Sequence, residues 1–389
     1  MNTIRPTYDY VIAGAGCSGL SLAWHIVQYP ELQQKRILIA DPDFSIRNDK
    51  TWCFWNSDAV PEQVPVFKRW KQARVLFPST HKEEAFQNIS YACVRSGDYA
   101  SEMKRYLENY TQIDWIEEGI TDIQQRDDHV IVQTEAGQKV SSTLLFNSFD
   151  KPRSDSSKFH ILQHFMGWDI TVEKDVFNPD SMTLMDFRIP QVNGATFMYV
   201  LPFTKRKALV EYTLFNEEIL NKKDYESAIQ NYIHSYLGLT NFTLDRSEFG
   251  VIPMADRLYN QGIHPNVINI GTTSGLPKAS TGYTFSRIHR HSAFIAHALS
   301  EGKSPFLKNP SAYRYRAYDL LLLDILKDQK NAIIPVFEHL FKHNTIENVL
   351  TFLDEKTTFP EDLKIMYSVP WKPFLSAIGK NIKLLSSGL

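Results

Sequence analysis

The sequence predicts an α/β fold in which a discontinuous Rossmann-like dinucleotide-binding domain is joined to a second, antiparallel-sheet domain and a helical C-terminal region. Three observations predict it. Residues 8–40 read as a strand and glycine turn (YDYVIAGAG), a helix (SGLSLAWHIVQY) and a second buried strand (RILIAD). From about residue 160 to 255, strand-like runs alternate with short polar turns, with little helix before Asp224–Leu237. Beyond residue 301, apolar residues recur densely at helical spacing, as in YDLLLLDILKDQKNAIIPVFEHLFKH.

The remaining elements follow from the same patterns. Residues 122–149 predict paired strands around Glu135-Ala136-Gly137 and then a further strand, with DYASEMKRYLENY as a neighbouring helix. NVINIG at 266–271 is a short buried strand leading into a Gly/Ser/Thr-rich loop and a helix, so the chain is expected to re-enter its first domain there. The expected division is 1–152 for the first part of the dinucleotide domain, 153–261 for the sheet-based substrate domain, 262–300 for the return segment and 301–389 for the helical region.

Composition narrows the function. At 389 residues, two intertwined domains are expected, and a net charge of -2 gives no reason to expect nucleic acid as a partner. Cys17, Cys53 and Cys93 form no C-x-x-C pair, which argues against a disulfide framework or a zinc site and for a reducing cytoplasm. The opening MNTIRPTYDYVIAGAG has no room for a secretory signal, and no apolar stretch approaches the roughly 18 residues of a spanning helix. An aromatic content of 13% suits a pocket for a large apolar ligand, and equally an ordinary core.

Gly14, Gly16 and Gly19 form G-x-G-x-x-G between predicted strand and helix. The first permits the turn, the second lets a pyrophosphate approach the backbone, and the third lets helix and strand pack closely. Asp41 follows 22 residues after Gly19, at the end of the second strand, where a ribose-binding acid belongs. The extreme N-terminal position, and a second glycine-rich loop in GTTSGLPKASTGYTF, favour FAD over NAD. Gly271, Gly275, Thr281 and Gly282 are then the cofactor candidates in that loop, although Thr272 follows Gly271 where many FAD proteins carry an aspartate.

Beyond the glycine pattern stand NDKTWCFW (48–55), QHFMGW (163–168), MDFR (185–188), FMYVLPF, ALVEYTLF, GVIPM (250–254) and GLPKASTGYTF. In this order they resemble the lycopene cyclases, FAD-binding enzymes that form rings at the ends of lycopene. The resemblance spans roughly the whole chain and is vaguest at the C-terminal end. It implies an isomerase that turns the ψ-ends of lycopene into β-rings, giving β-carotene by way of γ-carotene. It further implies reduced FAD, NAD(P)H as its reductant, and peripheral association with a membrane. Two other readings share the flavin signal: an FAD monooxygenase or polyprenyl reductase, and a non-catalytic flavin-bound carotenoid carrier.

Ring closure begins when a terminal alkene is protonated, so the site needs an acid, a cation-stabilising environment and exclusion of water. Glu211 is the leading acid. In ALVEYTLF it shares one strand face with Leu209, Thr213 and Phe215, while Val210, Tyr212 and Leu214 share the other, and neither face is solvent-like. Apolar surroundings would raise its pKa. The position matches the glutamate of the family's FLEET-type motif, but Tyr212 replaces the usual second acid, which counts against a paired carboxylate; an exposed strand glutamate is the plain alternative. Asp186, with Arg188, is a second catalytic candidate or else a structural ion pair. Arg95 contacts cofactor or forms a surface salt bridge, and His164 reads as a core histidine more readily than a catalyst. Phe197, Tyr199 and Phe203 share a strand face and, with Trp52, Trp55 and Trp168, either line a polyene tunnel or pack the sheet. The apolar run Leu320–Phe341 is the expected membrane-docking segment.

Overall fold

The computed structural model describes residues 4–55, 58–149, 158–192, 194–256, 264–307, 309–328 and 330–387. The predicted boundaries at 152/153 and 261/262 lie outside the described residues.

The first sheet is the Rossmann-like one. Strand β1 (Thr7–Ala13) runs parallel to β2 (Ile37–Ala40), and β2 to β8 (Ile113–Ile116). On its other side β1 runs parallel to β11 (Lys139–Asn147), which pairs parallel with β17 (Val267–Asn269) and antiparallel with β10 (Val130–Thr134); β9 (Ile120–Gln125) extends the edge. The four residues ILIA of β2 are all buried, as a parallel strand covered on both faces requires. The turn at Glu135–Gly137 forms as expected, with Gly137 at φ 81°. The separate strand expected after it does not exist: residues 139–147 are one strand, whose first half pairs with β10 and whose second half pairs with β1.

Helix α1 (Cys17–Val27) follows the glycine turn, with α2 (Ser96–Leu107) and α4 (Phe285–Ser300) packed beside it in one core. The second sheet has the order β16-β12-β15-β14-β13-β5-β6. Its members are β16 (Thr243–Ala255), β12 (His160–Thr171), β15 (Lys207–Asn216), β14 (Ala195–Pro202), β13 (Ser181–Asp186), β5 (Gln72–Leu76) and β6 (His81–Ala85). Two of its strands therefore come from within residues 1–152, because β5 pairs parallel with β13. The second sheet is not a property of the middle segment alone.

Both faces of the second sheet are covered. Helix α3 (Lys222–Ser235) packs on one face, over Met198, Val210, Tyr212 and Leu214. The other face meets a small sheet of β3 (Thr51–Trp55), β7 (Tyr91–Arg95) and β4 (Val66–Trp70), together with the C-terminal helices. These are α5 (Tyr313–Asp328), α6 (Lys330–His343), α7 (Ile346–Leu353), α8 (Phe359–Ser368) and α9 (Trp371–Ser386). Leu320, Leu323, Ile325, Ile333 and Phe341 are buried in this contact, so the run expected to dock on a membrane is core instead. Exposed apolar side chains lie further on, in α8 and α9.

Gly19 fixes how α1 lies against β1: a Cβ there would stand 1.9 Å from the backbone oxygen of Gly14, which cannot move without opening the turn. Gly19→Ala is accordingly expected to destabilise the fold by at least the about 1–3 kcal/mol usual for overpacking. Thermal melting beside wild type checks this, and an unchanged midpoint would refute the close approach.

Candidate active site

The acid face is set by strand alternation. Glu211 lies opposite Tyr199 of β14 on one side and opposite Gly167 of β12 on the other, and Gly167 in turn lies opposite Glu248 of β16. Gly167 has no side chain to fill the space between them: a Cβ there would come 3.4 Å from Glu211 Oε2 and 3.2 Å from Glu248 Cγ. The two carboxyls meet across this gap as hydrogen-bonding partners. Glu211 is only 9% exposed and Glu248 4%, so neither is a surface strand acid. The expectation against a paired carboxylate is corrected in the same way. The second acid comes from β16, while Tyr212 points to the α3 side and packs near Tyr225.

The two carboxyls differ in their partners. Glu248 accepts from the Thr51 hydroxyl at 2.8 Å and pairs with Arg246 at 2.8 Å. Thr51 in turn accepts from Arg95 (2.7 Å) and Arg246 (2.9 Å), and both guanidiniums bind Asp169, at 2.7 and 2.9 Å. The Arg95 guanidinium lies between Phe67 and Phe203, 4.8 and 4.7 Å from their ring centroids. Glu211 has the Thr213 hydroxyl at 2.8 Å. Burial, and then the neighbouring Glu248 charge, hold the Glu211 carboxyl well above the ordinary glutamate range. Burial also raises Glu248, against the pull of Thr51 and Arg95. A carboxyl pair this close and this buried holds a proton more readily than either carboxyl would in water.

Next to the pair runs a chain of polar hydrogens. The Tyr199 hydroxyl donates to Tyr91 Oη at 2.8 Å and lies 3.2 Å from Cys53 Sγ, and Tyr91 meets the Tyr283 hydroxyl at 2.7 Å. Trp55 stacks on Tyr91 and meets Tyr283 edge-on. Burial pushes the phenols of Tyr91, Tyr199 and Tyr283 upward, so all three stay neutral. Tyr283 belongs to the glycine-rich return loop, so the chain links that loop to the acid face.

The other predicted residues divide between faces. Phe197, Tyr199, Trp55 and Phe203 lie in or against the acid-side core. Trp52 alternates away from it, stacked on Phe285 and edge-on to Tyr99 in the first domain's core. Trp168 follows Gly167 and therefore points to the α3 side, near Phe242. Asp186 is also separated from Glu211: a register shift in β13 between Thr183 and Asp186 turns it toward α3. There it accepts from Arg188 (2.8 and 2.6 Å) and the Tyr232 hydroxyl (2.7 Å), the partners of a structural ion pair. His164 is fully buried against Tyr225 on that side. Arg95 forms a buried ion pair, not a surface one.

At the glycine-rich end, Gly14 (φ 109°) and Gly19 are filled by packing, but a Cβ on Gly16 would meet nothing within 4 Å. That open space lies over the N-terminus of α1, which no side chain caps. An anionic group fits there. Asp41 Oδ2 accepts from the Ala15 amide at 2.6 Å, which brings the second strand's carboxylate to the same turn. Gly271 (φ 65°) packs on Ser18 of α1, so the return loop meets the first glycine turn; Gly275 (φ 82°) closes the short helical turn 271–274. Thr281 accepts from the Tyr283 amide, and Gly282 sits against Gln163 of β12, whose buried Oε1 has no hydrogen-bond partner among the described residues. Open space at Gly16, a carboxylate beside it and an unsatisfied acceptor by the loop fit a dinucleotide laid between the domains.

Comparison with known proteins decides the family. The family described as "Lycopene cyclase protein" matches residues 9–378. The chain belongs to the lycopene cyclase family. It is similar to the lycopene beta-cyclase of Pantoea ananas, at 25% identity over 297 residues, 72% of each chain. It is also similar to the chloroplastic neoxanthin synthase of Solanum tuberosum, at 24% over 324 residues, 77% of this chain and 62% of that one. Among solved structures, Klebsiella pneumoniae HpxO complexed with FAD and uric acid superposes with a TM-score of 0.65 at 11% identity, covering 95% of this chain and 100% of that one. A geranylgeranyl bacteriochlorophyll reductase-like protein of Thermoplasma acidophilum gives 0.61 at 14%, covering 97% and 99%. These likenesses show the Rossmann-like fold of FAD-dependent enzymes. In this lycopene cyclase family member the motif strings converge. NDKTWCFW supplies Thr51, QHFMGW supplies Gly167 and ALVEYTLF supplies Glu211, while Glu248 stands two residues before GVIPM. Spacing alone could have placed Glu248 on the inward face; its sequence contained no reason to pair it with Glu211.

The dyad also has a thermodynamic signature. With folded pKa values raised above the unfolded ones, the folded protein binds more protons in the window between the ordinary glutamate range and the raised values. Stability contributed by the protonated pair is therefore lost as pH rises through that window. Denaturant midpoints at about pH 5 and pH 8 should fall with pH in wild type and fall less in Glu211→Gln. Equal slopes in both proteins would contradict the buried pair.

Proposed function

We propose that the protein is a lycopene β-cyclase, an isomerase that closes the ψ-ends of lycopene with reduced FAD as cofactor and NAD(P)H as the source of its electrons. One observation carries this reading: two buried carboxyls, Glu211 and Glu248, meet across Gly167 on an aromatic-walled face beside a glycine-rich loop suited to a flavin. An acid kept protonated at neutral pH and shielded from water is what alkene protonation demands. In the proposed reaction Glu211 delivers its proton to the terminal alkene. The aromatic walls of Trp55, Phe197 and Tyr199 exclude water and face the resulting cation. Gly14, Gly16, Gly19 and Asp41 would hold the dinucleotide end of FAD, and Gly271, Gly275, Thr281 and Gly282 its flavin end. Reduced flavin, when bound, would supply negative charge that stabilises the cation.

Substrate and product are isomers, so turnover should consume no reductant. Anaerobic enzyme reduced once is expected to make many products per flavin, whereas one product per reductant equivalent would establish a reductase or oxygenase. In the same assay flavin-replete Glu211→Gln should fall by about 10²-fold or more, the range of general acid–base groups. Near-wild-type turnover would remove Glu211 from the reaction.

Peripheral membrane contact completes the proposal. Among the described residues no helix is long and apolar enough to cross a membrane. In α9, however, Trp371, Leu375, Ile378 and Ile382 are exposed on one stripe, and the helix carries Lys372, Lys380 and Lys383 but no acidic residue. An apolar stripe with basic flanks fits an anionic bilayer surface, where a long polyene dissolves. Wild type should float with vesicles containing anionic lipid, and a Trp371→Glu/Leu375→Glu protein should not. Equal flotation of the two would exclude this face.

A further inference from the structure

We propose that Glu248 is a positioning residue for the reacting proton: held by Thr51 and Arg246 across the gap at Gly167, it keeps the negative charge of the pair and leaves the proton on Glu211. The proposal rests on the reading of Glu211 as the acid and extends it to a residue outside the family's glutamate motif.

Each guanidinium beside the pair is matched by a carboxylate in that state, with Asp49 and Asp245 adding further negative charge nearby. Strand β7 contributes Arg95, with Tyr91 and Cys93 beside it; β3 contributes Thr51 and Cys53, with Asp49 just before the strand. Strand β12 contributes Asp169, β14 contributes Tyr199, and β16 contributes Arg246 and Glu248. Tyr283 closes the group from the return loop. Burial keeps the thiols of Cys53 and Cys93 and the three phenols protonated. At the contact itself two guanidiniums face the carboxylates of Asp169 and Glu248, so an ionised Glu211 would be a buried anion without a cation. Glu248 takes a hydroxyl donor and a guanidinium, whereas Glu211 takes one hydroxyl. The proton belongs on the carboxyl with fewer donors.

This arrangement suits a reaction in which a proton enters and leaves. The Glu211 O–H bond breaks, and the electron pair of the terminal alkene takes the proton into a new C–H bond, leaving a tertiary cation. The electron pair of the internal alkene closes the ring C–C bond and moves the positive charge into the ring. A neighbouring C–H bond then gives its proton back to the Glu211 carboxylate and its electrons to the ring double bond. Nothing is oxidised or reduced. The pair is doubly ionised only while a cation lies beside it, and the repulsion within it favours taking the proton back.

Infrared difference titration of the flavin-loaded enzyme reads the protonated carboxyl directly, without activity. Wild type should show a buried carboxylic C=O band, lost at alkaline pH and missing near neutrality in Glu211→Gln. In Glu248→Gln the band should remain but titrate at least about one pH unit lower, a tenfold loss of proton affinity, with the alkaline limb of cyclisation moving equally. Thr51→Val, which removes a donor from Glu248, should move the limb the other way, and it provides the test if Glu248→Gln does not fold. An unmoved band in Glu248→Gln, or an unmoved limb in Thr51→Val, overturns the proposal. Loss of the acid reading is seen separately, as wild-type turnover by Glu211→Gln.

Discussion

The acid face depends on one largely enclosed ionic network. Arg95 of β7 and Arg246 of β16 share Asp169 of β12 and the hydroxyl of Thr51 of β3, and Arg246 continues to Glu248. Four strands of two sheets are joined at one point by charge-assisted bonds. Buried ion pairs seldom stabilise a fold more than apolar packing would, but breaking one leaves an unpaired charge in a dry place. The network therefore specifies register and position more than it adds stability. It fixes where β3 and β7 lie across the second sheet, and so places Cys53, Trp55 and Tyr91 over Tyr199 and Glu211.

Gly167 completes this constraint by absence. In a strand whose neighbours are all filled, a residue without a side chain lets groups on the two flanking strands meet. Any larger residue at that position would press on Leu209 and separate the carboxyls of Glu211 and Glu248. A similar device operates at Gly282, whose left-handed backbone (φ 70°) and lack of a side chain bring the return loop down onto Gln163. Both glycines sit where the backbone closely approaches a neighbouring side chain.

Much of the fold was legible because its signals are local. Strand, glycine turn, helix and carboxylate in register specify β1, α1 and β2, and a two-sided apolar strand specified the burial of Glu211. The errors share a cause. Alternation is exact within a strand, but the sequence does not show which face is which or where a bulge resets it. Trp168 is one residue from Gly167 and Trp52 one residue from Thr51, so each points away from the acid face. Asp186 would have shared the face of Met182 and Leu184 but for the register shift ahead of it. The Leu320–Phe341 run was apolar because it is interior, and helical periodicity cannot tell a core-facing stripe from a lipid-facing one. Glu248 was missed because the placing of two residues 37 positions apart on strands flanking β12 is a long-range fact.

The two ends of the site are built from different materials for a physical reason. The glycine-rich end offers backbone amides, a helix N-terminus and small residues, which suit a polar, negatively charged ligand held in place. The acid face offers side chains that are apolar, or polar and fully partnered, and so can enclose a hydrocarbon without leaving water trapped beside it. Tyr283, Tyr91 and Tyr199 join the two, and their buried phenols stay neutral. A charged link would draw water to the face and add a second titrating group beside the pair. A neutral hydroxyl chain ties the return loop to Tyr199, the strand neighbour of Glu211, without adding charge beside the carboxyl pair.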